Sequence, residues 1–157
     1  MLRRISIIVG LIALVMSVFL FGVHYGFDQR GLVEAIGKVS FGAGGPRTYE
    51  ELSRRYLLIS CFLSFYLIGK IIKSKLISQI ICISFLSFAI YQFWQIYDFY
   101  MMLINQFHDY DKTAHFSLLR DSNFLVWLCF VMVLSLLVIQ IITASKYLLN
   151  KNKATLK

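Results

Sequence analysis

Four stretches of the chain are apolar for long enough to cross a lipid hydrocarbon core, and the polar residues gather between them. They run from Ile5 to Val23, Leu52 to Ile72, Leu76 to Tyr97 and Phe124 to Ala144. A helix rising 1.5 Å per residue needs about 20 residues for this crossing. A lone segment in lipid must satisfy its own backbone N–H and C=O groups, so each stretch is expected to be helical. The expected fold is all-α: an integral membrane four-helix bundle, one domain over residues 1–157, with connections at about 24–51 and 98–123. Lys73-Ser74-Lys75 leaves room only for a tight turn, so the second and third helices should form an antiparallel hairpin.

Finer periodicity adds detail outside the spans. Leu32, Ile36 and Val39 form one stripe, so Gly31–Val39 reads as a short amphipathic helix along the membrane surface. Gly42-Ala43-Gly44-Gly45-Pro46 reads as a hinge after it. Thr48 and Glu51 have capping-box spacing, which starts the second helix near Tyr49. Glu50 with Arg54 and Glu51 with Arg55 are i,i+4 pairs. The third helix has room to continue past Asp98 toward Asn105, and Asp121-Ser122-Asn123 offers an N-cap for the fourth.

Within the spans, small residues share faces. Ser6, Gly10, Ala13 and Ser17 do so on the first helix, Ser60 and Ser64 on the second, and Ser74, Ser78 and Cys82 on the third. Such faces let helices approach closely in lipid. Gly22 and Gly26 form a GxxxG pair at a helix end, where local flexibility is the plainer reading. Cys61, Cys82 and Cys129 form no CxxC pair and read as apolar fillers, with Cys61 and Cys129 at similar depth. Gln79, Gln92, Gln95 and Gln140 read as interhelical hydrogen-bonding groups.

Composition strengthens the membrane reading. The 157 residues are 59% hydrophobic and 15% charged, and the mean hydropathy is +0.71. Soluble domains carry about 25% charged residues. A soluble fold this small has too little interior to hide so much apolar surface. The first span follows Arg3 and Arg4 as a signal peptide would, but it is longer than an h-region and no A-x-A site follows, so it is expected to stay as an anchor.

Charge sets the orientation. Arg3, Arg4, Lys70, Lys73, Lys75, Lys146, Lys151, Lys153 and Lys157 fall on one side, with no acidic residue. The other side carries Arg30, Lys38, Arg47, Arg54, Arg55, Lys112 and Arg120 against all eight acidic residues. The net charge of +8 therefore sits on one face. Short cytoplasmic segments retain Lys and Arg, so both termini are expected inside, in a bacterial inner membrane. Anionic headgroups are the natural partner of that face, and nucleic acid need not be invoked. Tyr91, Trp94, Tyr97 and Trp127 mark the outer interface and Tyr147 the inner one.

The spans, as drawn, contain no Asp, Glu, Lys, Arg or His apart from Arg54 and Arg55 at an outer end and Lys70 at an inner one, so their core lacks the groups that proton relays and ion pathways use. The candidate chemistry lies outside them. His108, Asp109, Asp111 and His115 crowd the third connection, and His24 ends the first span. Imidazole with carboxylate suits zinc or another divalent metal, and a metal with an open position activates water. The plainer reading, and the preferred one, is a solvated polar loop at headgroup level. No catalytic residue is assigned, and a divalent metal is the one candidate cofactor.

Asp111-Lys112-Thr113-Ala114-His115-Phe116 resembles the D-K-x-x-H-F string of VanZ-like membrane proteins over those six positions. In that family the string leads into an early membrane helix; here it precedes the last one, with Arg120 and Asp121 interrupting the run. Quinone-linked disulfide oxidoreductases, tetraspanins and claudins need loop cysteines that this chain lacks. Four-helix immunity proteins against bacteriocins share its size and topology, without a residue match. The expectation is a non-catalytic multi-pass protein acting by contact with a membrane protein, as an accessory subunit, assembly factor or immunity-type protector. Its functional surface should lie outside, with Asp109, Asp111, His115, Gly44 and Gly45 as interaction residues. The alternative is a small membrane enzyme using the His/Asp cluster on a lipid-linked substrate.

Overall fold

In a computed structural model, the chain folds into four helices: α1 (Leu2–Ile36), α2 (Gly45–Gly69), α3 (Lys75–Gln106) and α4 (Ala114–Thr155). The structure describes the backbone of residues 2–36, 45–106 and 114–155, with the turn 70–74 included, and the side chains of 3–23, 25, 51–99, 101 and 124–149. Each helix contains a window long and apolar enough to cross a membrane: Arg3–Val23, Glu51–Gly69, Lys75–Phe99 and Phe124–Leu149. These windows fall within a few residues of the four stretches legible in the hydropathy pattern.

Consecutive helices pack against each other, and α4 closes the ring against α1. Contacts run in opposite directions along each neighbouring pair. On α1 and α2, Ser17 meets Ser60 while Arg3 meets Lys70. On α2 and α3, Arg55 meets Gln92 while Gly69 meets Ser78. On α3 and α4, Tyr97 meets Trp127 while Phe93 meets Phe130. The bundle is therefore up-down-up-down.

The seams differ in chemistry. The α1–α2 seam is built from the small-residue face: Ser6, Ala13 and Ser17 are buried, and Gly10 lies against the Tyr66 ring. A Cβ at Gly10 would stand 2.9 Å from Tyr66 Cε1, so only glycine allows this approach. The Ser17 and Ser60 hydroxyls bond across the seam at 2.8 Å. The α2–α3 seam is aromatic, with Phe65 stacked on Phe85 and Phe62 on Phe88. Around the ring, Tyr56, Leu63, Leu86, Leu136 and Val133 fill the interior. Outward side chains are equally apolar: Val15 is 68% exposed, Phe124 72% and Ile71 76%.

The helices outrun the apolar spans. α1 continues unbroken through Ile36, so residues 31–36 are its last turns and no separate surface helix begins at Gly31. Residues 37–39 lie outside the described residues. α2 begins at Gly45, which places Thr48 inside the helix rather than at its N-cap. α3 runs to Gln106, past Asn105. α4 begins at Ala114, which makes Asp121-Ser122-Asn123 interior helix rather than a cap. Hydropathy reports how deep a residue would sit in lipid, and a helix has no reason to stop where apolar character stops. The GxxxG reading also finds no packing role at Gly22, where a Cβ would meet nothing within 4 Å.

Candidate functional site

Polar side chains collect at the two ends of the bundle. At the mixed-charge end, helical spacing sets Glu51 one turn before Arg55, and Nη2 of Arg55 donates to Glu51 Oε1 at 2.6 Å. The antiparallel α3 brings Gln92 alongside, and its Oε1 accepts from Arg55 Nη1 at 3.3 Å. The pair is legible as i,i+4 spacing; the link to Gln92 is not, because it depends on interhelical register. Arg55 and Glu51 also lie inside the apolar window of α2. Arg55 Nε is buried without a hydrogen-bond partner among the described residues. Just inside this end, Trp127 meets Tyr97 edge-on at 6.1 Å and Phe130 at 5.7 Å. With half-exposed Trp94 and Tyr91 they form a belt shared by α3 and α4.

At the basic end, the C-terminus of α2 is closed by its neighbours. The last carbonyls of a helix lack intrahelical donors. Cys82 Sγ reaches Tyr66 O at 3.6 Å, Ser78 Oγ donates to Gly69 O at 2.7 Å, and Arg3 Nη2 donates to Lys70 O at 2.6 Å. The positive Arg3 also suits the negative end of the helix dipole. Tyr66 donates from its hydroxyl to Ser6 O at 3.3 Å, and its ring carries the Lys70 ammonium 5.4 Å from the centroid. Burial, partly opposed by Cys82 and reinforced by the Arg3 charge, holds the Lys70 ammonium below its usual pKa.

The sequence-predicted site residues stand elsewhere. His24 lies on α1 and His115 is the second residue of α4, with both side chains outside the described residues. His108, Asp109, Asp111 and Gly44 lie outside the described residues altogether, and Gly45 is the first residue of α2. Among the described residues, no group of three His, Cys, Asp or Glu side chains could hold a metal. Cys129 is buried with its Sγ 3.5 Å from Ala13 O, whereas Cys61 faces outward. Of the four glutamines, Gln92 bonds across helices, Gln140 is buried, and Gln79 Oε1 is buried without a partner among the described residues.

Comparison with protein-family models, curated proteins and solved structures finds no match to this chain. The class that the fold defines is a four-helix bundle whose every helix is long and apolar enough to span a membrane.

Proposed function

We propose that the chain is a multi-pass protein of a bacterial inner membrane, with both termini cytoplasmic, that acts by contact with another membrane protein. The observation that carries this reading is the asymmetry of the two ends. At the mixed-charge end all four helices continue beyond the apolar stretches of the sequence: α1 past Val23 to Ile36, α2 from Gly45 ahead of Leu52, α3 past Tyr97 to Gln106 and α4 from Ala114 ahead of Phe124. At the basic end α2 and α3 are joined by a single turn of residues 70–74. The first end offers mixed charge and aromatic surface to a partner; the second offers orientation. An outward surface this apolar is otherwise an association site, and lipid accounts for it. An accessory subunit, an assembly factor and an immunity-type protector all belong to this class.

Topology is tested by placing single cysteines at Lys73 and Lys112 and labelling sealed cells with an impermeant maleimide. Lys112→Cys should label from outside and Lys73→Cys only after lysis; labelling of Lys73→Cys in intact cells overturns the orientation. Function class is tested by crosslinking in membranes and identifying the captured protein. A single stoichiometric membrane partner supports the contact reading. Stoichiometric divalent metal in the purified protein, lost on His115→Ala, would replace it with a metal-dependent activity.

A further inference from the structure

We propose that the basic end of the bundle binds the phosphate of an anionic phospholipid between Arg3 and Lys70. The proposal rests on the membrane reading given above. Arg3 and Lys70 are 67 positions apart in sequence, yet the guanidinium of one bonds the backbone of the other. Two further contacts fix the pair. Tyr66 is held to α1 through Ser6 O, and its ring supports the Lys70 ammonium from below. Two basic residues are thus brought together by α1 and by the turn that follows α2 instead of being left to drift apart in water.

Among the described residues, no acidic side chain is placed to compensate them. Residues 1–27, 52–97 and 122–157 contain no Asp or Glu, and the eight acidic residues all fall in or beside the connections of the opposite end. The C-terminus of α2 supplies a dipole worth about half a negative charge, which leaves most of the two positive charges unbalanced. Burial already holds the Lys70 ammonium below its usual pKa, and a neighbouring phosphate would reverse that shift. A planar guanidinium and the ammonium of the residue whose carbonyl it bonds suit the oxygens of a phosphodiester. The pair closes the end of the α2 apolar window, which is the depth of a headgroup. Lys73, exposed in the adjoining turn, lies at the rim.

The test uses the full chain in nanodiscs of phosphatidylcholine with and without phosphatidylglycerol. Acetylation of Lys70 is read by mass spectrometry against exposed Lys146 in the same molecules, so that general attraction to the surface cancels. Phosphatidylglycerol should lower relative Lys70 labelling about tenfold, the effect of a direct hydrogen bond between charged partners. Arg3→Gln should remove the protection, and the Lys151→Gln/Lys153→Gln pair should keep it. Equal labelling in both discs overturns the site, as does equal loss of protection in the tail variant. Equal protection by inorganic phosphate in phosphatidylcholine discs overturns the lipid assignment. If Arg3→Gln does not fold, the wild-type ratio decides alone. A chain that enters neither disc sinks the membrane reading itself, a result distinct from insertion without protection.

Discussion

At the scale of single residues, glycine and serine on α1 decide how closely two helices meet. Gly10 faces the Tyr66 ring and Leu67 Cδ2, and a Cβ added there would stand only 2.9 and 3.1 Å from them. Gly10→Val should therefore force the α1–α2 seam apart and cost about 1–3 kcal/mol, as overpacking does. Gly22→Ala is the matched control: open space surrounds it, and alanine is the better helix former. Thermal unfolding in detergent should show a lowered Tm for the first and an unchanged or raised Tm for the second. Equal behaviour would mean that the seam does not depend on Gly10. The small-residue pattern already places Gly10 on a contact face with Ser6, Ala13 and Ser17. It does not say that Tyr66 is the partner, because that pairing joins distant stretches of chain by interhelical register alone.

At the scale of elements, polar sequence and helix end are easily conflated. Asp121-Ser122-Asn123 has the composition of an N-cap, which would make Phe124 the first helical residue, where proline is tolerated. The structure has α4 running from Ala114, so Phe124 lies in its interior. Phe124→Pro should then cost about 3 kcal/mol through a lost backbone hydrogen bond and a clash with the preceding turn. Circular dichroism and thermal unfolding of the purified variant measure it. A neutral result would restore the cap and the shorter helix. The extended helices are partly legible: the reach of α3 toward Asn105 follows from its continuing periodicity, and it ends at Gln106. The extension of α1 reads as a separate helix because Gly31 and the drop in hydropathy look like a break. In the structure the backbone stays helical through both.

At the scale of the whole molecule, charge is divided between two ends that differ in size. If the mixed-charge end carries the function, Asp109→Ala, Asp111→Ala and His115→Ala should impair activity at unchanged abundance in the membrane. Rigidifying Gly44 and Gly45 should do the same, and removing residues 151–157 should leave activity near wild type. Activity is read as partner recovery after crosslinking, with abundance read by immunoblot. Loss of recovery on tail deletion, with wild-type recovery in the connection variants, would move the functional surface to the basic end. The sequence by itself determined the number and place of the four long apolar segments, the charge asymmetry and the small-residue face of α1. Each is a local property, set by 3.6-residue periodicity and by what a lipid core tolerates at each depth. Tertiary structure alone decided which faces meet: Gly10 on Tyr66, Arg55 on Gln92, and the C-terminus of α2 closed by Arg3, Ser78 and Cys82. These contacts depend on how one helix slides and rotates against another, and a periodic apolar pattern is nearly indifferent to that slide until particular side chains lock it.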